Sequence, residues 1–85
     1  MIHEAALILA QVATSCAPTV DLHDQLLQKY GEERLFAGLS GQSVIELWSN
    51  PETGTWTIIV STPEGMSCLL ASGENAVHFN RKPNV

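Results

Sequence analysis

The residue best suited to chemistry is Glu46. It interrupts the apolar run Val44-Ile45-Glu46-Leu47-Trp48. A carboxylate buried there loses solvation, which disfavours its charged form and can tune it as a proton carrier. With a histidine beside it, Glu46 would support acid–base chemistry in a small ligand-binding or hydrolase-like domain. The plainer alternative is an edge position whose carboxylate reaches water. The histidines are His3, His23 and His78, far apart in the chain, and no spacing ties one of them to Glu46. Close Cys or His pairs of the kind that hold structural zinc are missing, so no metal and no cofactor is expected. Glu32 and Glu33 are adjacent carboxylates, which point two ways at a helix end and read as solvated.

Cys16 and Cys68 are the two cysteines. A nucleophilic cysteine needs a thiolate beside His or a helix start, and nothing holds His23 or His78 there. A disulfide would close a loop of about fifty residues and restrict the unfolded chain. The even count in a short chain favours that bridge. Two reduced thiols acting as small hydrophobes are the alternative, and a cytosolic setting would favour them.

Charge narrows the partners. Nine acidic residues stand against four basic ones, for a net charge of −5. Arg81 and Lys82 lie near the tail, leaving Lys29 and Arg34 for the body. A surface that tracks phosphates needs clustered cations, so nucleic acid is not an expected partner. The 45% apolar and 15% charged composition argues for a folded domain rather than disorder.

Eighty-five residues make a single small domain, 1–85, with a thin core. Residues 1–17 read as an apolar N-terminal helix or a degenerate signal-like segment. The apolar stretch from Ala5 to Ala13 is too short to span a bilayer, and Glu4 replaces the basic leader of a signal peptide. Pro18 ends this segment. Residues 18–31 form an amphipathic helix, with Thr19 as its cap, Leu22, Leu26, Leu27 and Tyr30 as the apolar stripe, and Gly31 as the stop. His23, Gln25, Gln28 and Lys29 are assigned to its polar side. Residues 31–43 read as a connector.

The β-branched and aromatic stretches "SVIELWS", "TWTIIVS" and "MSCLLAS" follow, separated by "NPETG" and "TPEG" turns, with "NAVHF" as a short fourth strand. Residues 43–79 are thus an antiparallel meander. The expected fold is α+β: one or two N-terminal helices packed on a three- or four-stranded antiparallel β-meander. Setting Ser49 opposite Thr55 places Trp48 opposite Trp56 and Glu46 opposite Ile58. Setting Ser61 opposite Met66 places Ile59 opposite Cys68. Val44, Glu46, Trp48, Trp56 and Ile58 then share one apolar face, and Ile45, Leu47, Ile59 and Cys68 share the other. A sheet apolar on both faces needs two covers.

The stretch from Tyr30 to Asn75, 46 of the 85 residues, resembles a group of small uncharacterised proteins of alphaproteobacteria with relatives in marine phages. The matching parts are the "YGE" helix end, "VIELWSN", "GTWT", "TPEGMSC" and "ASGEN". Members of that group carry a signal peptide followed by Cys-Pro or Cys-Ala-Pro, like Cys16-Ala17-Pro18. The resemblance implies an exported, disulfide-bonded domain of the periplasm, although this chain departs from the group in its first dozen residues. A structural N-terminal helix would suit a cytoplasmic protein instead. The resemblance brings no activity with it.

These features point to a non-enzymatic interaction module, self-associating as a homo-oligomer or binding a host or envelope protein. Its candidate interface is Val44, Glu46, Trp48, Trp56 and Ile58. The alternative is the ligand-binding or hydrolase-like domain built on Glu46 and a histidine.

Overall fold

The computed structural model describes residues 15–79. The expected helix over 1–17 lies outside these residues up to position 14. At Cys16 and Ala17 it is replaced by a strand, β1 (Cys16–Pro18). Helix α1 (Thr19–Gln28) follows directly. Four longer strands complete the fold: β2 (Glu33–Ser40), β3 (Ser43–Ser49), β4 (Trp56–Ser61) and β5 (Met66–Gly73). All neighbours are antiparallel, in the order β1-β5-β4-β3-β2. The fold is α+β with an antiparallel, meander-like sheet.

Three local expectations need correction. Residues 31–43 are not a connector, because Glu33–Ser40 pairs along β3 through a two-residue turn at Gly41 and Gln42. Gly41 has φ +63°, a value that glycine tolerates and that such tight hairpins use. No strand forms over residues 74–79; Asn75 takes φ +61°, and the Ala76 N–H donates to the Gly54 carbonyl instead. Thr19 is not the helix cap. Pro18 occupies that position, and Thr19 Oγ1 bonds Ser67 Oγ at 2.7 Å.

The register differs from the expected one by a single residue in both hairpins. Asn50 N–H donates to the Thr55 carbonyl, and Gly54 N–H donates to the Asn50 carbonyl. Asn50 Oδ1 also accepts from Glu52 N–H at 2.8 Å, which holds the turn from inside. Ser49 therefore pairs with Trp56 rather than Thr55, Trp48 with Thr57, and Glu46 with Ile59. In the next hairpin Thr62 N–H donates to the Met66 carbonyl, and Ser61 pairs with Ser67. A one-residue slip sends every side chain to the other face. Val44, Glu46 and Trp48 remain together on the inner face under α1. Trp56 and Ile58 lie on the outer face with Ile45, Leu47 and Val60. The five residues do not form one surface.

The inner face holds the core. Leu22 and Leu26 of α1 meet Trp48 and Ile59, with Leu69 packed alongside. Leu27 and Tyr30, expected in the same stripe, are 50% and 38% exposed, so the helix buries a narrow band. Its start is fastened by hydroxyls: Thr19 bonds Ser67, which bonds Ser61, and Ser67 is fully buried. Its end turns at Gly31, φ +62°, which lets Glu32 N–H reach the Leu26 carbonyl at 2.9 Å. A side chain at Gly31 would collide with the Asn50 amide, which itself donates to the Tyr30 carbonyl.

Cys16 and Cys68 are disulfide-bonded across the β1–β5 pair. Ser67 and Leu69 face the helix, so Cys68 between them faces outward. The bridge lies on the face opposite α1, where Cys68 keeps the company of Ile45 and Leu47 because the slips in the two successive hairpins cancel for β5. It ties the shortest strand to the sheet across 52 residues of chain. In the chain-entropy view a loop of that length contributes about 4 kcal/mol. Replacing both cysteines by serine is expected to lower the unfolding free energy by up to about that amount. Denaturant melts of variant and parent check this, and equal stability would show that the bridge constrains little.

Candidate functional site

Glu46 and Trp48 are two residues apart on β3, so strand alternation puts both on the inner face. Both are 4% exposed. Trp48 Nε1 donates to Glu46 Oε1 at 2.9 Å. His23 Nε2 reaches the same oxygen at 2.9 Å, and Arg34 Nη1 donates to Oε2 at 2.7 Å. One carboxylate thus gathers α1, β2 and β3. His23 was expected on the polar side of the helix. At 3.6 residues per turn it shares an arc with Thr19, Leu22 and Leu26, and that arc faces the sheet.

The rings close the cluster. His23 and Trp48 lie with centroids 4.9 Å apart at 42°, and the Arg34 guanidinium sits 5.9 Å from the Trp48 ring. Arg34 is directly opposite Trp48 in the β2–β3 ladder, just before a bulge that ends at Phe36. Arg34 is half exposed and His23 is a quarter exposed, so the cluster opens to solvent on their side.

Burial by itself raises the Glu46 carboxyl. The hydrogen bonds from Trp48, Arg34 and His23, with the charge of the imidazole, outweigh it and hold the pKa below the ordinary carboxylate value. Glu46 is therefore an acceptor, ionised at neutral pH, rather than a proton donor. Its geometry can orient an imidazole. Among the described residues, no hydroxyl or thiol is hydrogen-bonded to His23, so the dyad lacks an attached nucleophile. No group of three or more His, Cys, Asp or Glu side chains there is arranged to hold a metal ion.

A second acid is buried with the opposite electrostatics. Glu32 is 2% exposed and its Oε1 has no hydrogen-bond partner. Burial raises its pKa, and hydrogen bonds from the Thr55 and Thr57 side chains offset only part of that rise. The expectation of a solvated Glu32–Glu33 pair holds for Glu33, which is exposed, and fails for Glu32. The turn at Gly31 is the local reason, since it swings Glu32 under the helix end.

The outer face carries a different feature. A shallow groove of about 240 Å³ is lined by Leu35, Leu47, Ser49, Trp56, Ala76, Val77 and His78. Trp56 lies over Gly73, its ladder partner, and donates from Nε1 to the Glu74 carbonyl at 3.3 Å. The groove is smaller than the usual range for small-molecule sites. His78 therefore joins Trp56 rather than Glu46, while His3 lies outside the described residues.

The two acids give opposite responses to pH. Glu46 has a lowered folded pKa, so its contribution is full above the unfolded value near 4.5 and is lost as pH falls through the folded value. Glu46→Gln is expected to cost about 1–3 kcal/mol at neutral pH, with the difference closing as pH falls below the unfolded value and through the folded one. Glu32 has a raised folded pKa, so its protonated form stabilises below the unfolded value, and that benefit is lost as pH rises through the folded one. Glu32→Gln is expected to raise the melting temperature at neutral pH and to gain nothing near about pH 4. Melts of both variants across this range check the signs.

No protein-family model, no curated protein and no solved structure matches the chain.

Proposed function

We propose that the chain is a non-enzymatic interaction module that binds another protein through the outer face of its sheet. The observation that carries this reading is the division between the faces. Over β3 to β5 the inner face is covered by α1 and the Glu46 cluster, while Leu39 stays exposed at the β2 edge. The outer face presents Ile45, Leu47, Trp56, Ile58 and Val60, all half-buried, with no helix over them among the described residues. Phe36 extends that surface at 57% exposure. Apolar patches of this kind mark docking surfaces, and tryptophan is a favoured anchor. Of the five residues first singled out, Trp56 and Ile58 belong to this surface, while Val44, Glu46 and Trp48 support it from behind.

The disulfide is of a kind that oxidising compartments maintain, which supports an envelope or exported protein as the partner. A second reading, a ligand-binding or hydrolase-like domain, is favoured by one observation, the 2.9 Å contact between His23 and Glu46. Against it, both Glu46 oxygens are engaged and the carboxyl is held ionised.

Affinity capture from soluble and envelope fractions of the source cell, using wild type and Ile58→Lys, tests the leading reading. The expected outcome is a partner retained by wild type and lost by the variant, with native dichroism in both. Identical capture by the two proteins would remove the outer face from consideration.

A further inference from the structure

The two edges of the sheet are unlike. One is β1, three residues long and disulfide-bonded to β5, ending in Pro18, which has no N–H to donate. The other is β2, eight residues without proline and largely exposed, with no strand beyond it among the described residues. The two-residue turn to β3 makes Ser40–Ser43 the hydrogen-bonded closing pair. Bonded and non-bonded pairs then alternate back along the ladder. Phe36 and Gly38 direct their main-chain groups at β3, while Ala37 and Leu39 direct theirs out of the sheet. Such a row of unpaired donors and acceptors is a template for another strand.

We infer that β2 pairs antiparallel with β2 of a second copy, about a two-fold axis at Gly38. Ala37 and Leu39 of one copy exchange main-chain hydrogen bonds with Leu39 and Ala37 of the other. Leu39, 79% exposed in the single chain, comes beside the small Ala37 of its mate. Glu33 and Arg34, the charged residues of the strand, extend past the end of the mate's β2, which stops at Ser40 and turns away at Gly41 and Gln42. No like charges oppose one another, even though each chain carries −5. The register uses the regular segment from Phe36 to Ser40 and avoids the bulge at Arg34/Phe36. An open filament would require β2 to add to β1, where Pro18 and the short strand offer little to pair with. Self-pairing of β2 consumes the free edge of each copy and closes at two. The result is one sheet of double width with both outer faces on the same side. This inference does not rest on the outer-face reading, because edge and face respond to different substitutions.

Sedimentation of the full chain over a wide concentration range tests it, with three variants. Leu39→Pro removes an N–H that points away from β3, and Leu39→Lys adds a charge at the edge. Trp56→Ala alters the outer face alone. The expected result is a wild-type dimer, association weakened about tenfold or more in both Leu39 variants, and a dimer retained by Trp56→Ala. Native dichroism identifies the folded variants, and Leu39→Lys carries the comparison if Leu39→Pro does not fold. A wild type that stays monomeric would overturn the inference. So would a dimer that survives in folded Leu39→Lys, or one that dissociates in Trp56→Ala and so belongs to the outer face.

Discussion

The Glu46 carboxylate is the constraint around which the inner layer is arranged. It is buried in an apolar strand, and a charge taken from water needs compensation. Three donors provide it, each from a different position in the fold: His23 on α1, Arg34 on β2 and Trp48 on β3 itself. If any of these elements shifts, the carboxylate is left with an empty lone pair in a poorly solvated place. The cluster therefore specifies where the helix crosses the sheet and where β2 pairs with β3. Apolar packing of Leu22, Leu26 and Ile59 supplies area without direction. The hydroxyl chain of Thr19, Ser67 and Ser61 performs the same directional task at the helix start.

Committing the inner face in this way has a consequence for the outer one. A chain of 85 residues with a single described helix can cover one side of a five-stranded sheet. The outer side is served by local devices instead. Trp56 folds over Gly73, residues 76–78 flank a shallow groove, and the disulfide holds β1 against β5. Ile45, Leu47 and Ile58 remain partly accessible. The asymmetry between a polar-locked interior and an accessible apolar exterior is the physical basis for reading the molecule as a binder rather than a catalyst.

The strands β3 to β5 were legible from their β-branched runs and bounding turns, and α1 from its Leu22–Leu26 spacing. The Cys16–Cys68 bridge was expected from the cysteine count, and Cys68 keeps the face it was expected to share with Ile45 and Leu47, which Ile59 leaves. Register was not legible, because Asn50 adds one residue to the ladder through its side-chain turn, and no propensity reports that. β2 was hidden by Gly38 and by weak alternation in "RLFAGLS". With β2 unseen, Arg34 could not be assigned to Glu46. The Glu46–Trp48 pairing was accessible, since a spacing of two survives any register error. His23 could have been placed by its spacing from Thr19 and Leu26 had the helix face been counted from Thr19. Glu32 gave no signal, because its burial follows from the backbone turn at Gly31 rather than from its neighbours' types.

A double-mutant cycle between His23 and Glu46 tests the central claim, that one carboxylate fastens the helix to the sheet. Unfolding free energies are measured for wild type, His23→Ala, Glu46→Gln and the double variant at neutral pH. Groups bonded at 2.9 Å in a shared network should be non-additive, with a coupling of about 0.5–3 kcal/mol that fades as Glu46 is protonated in acid. Additive losses at neutral pH would contradict the account and reduce the cluster to incidental contacts around an apolar core.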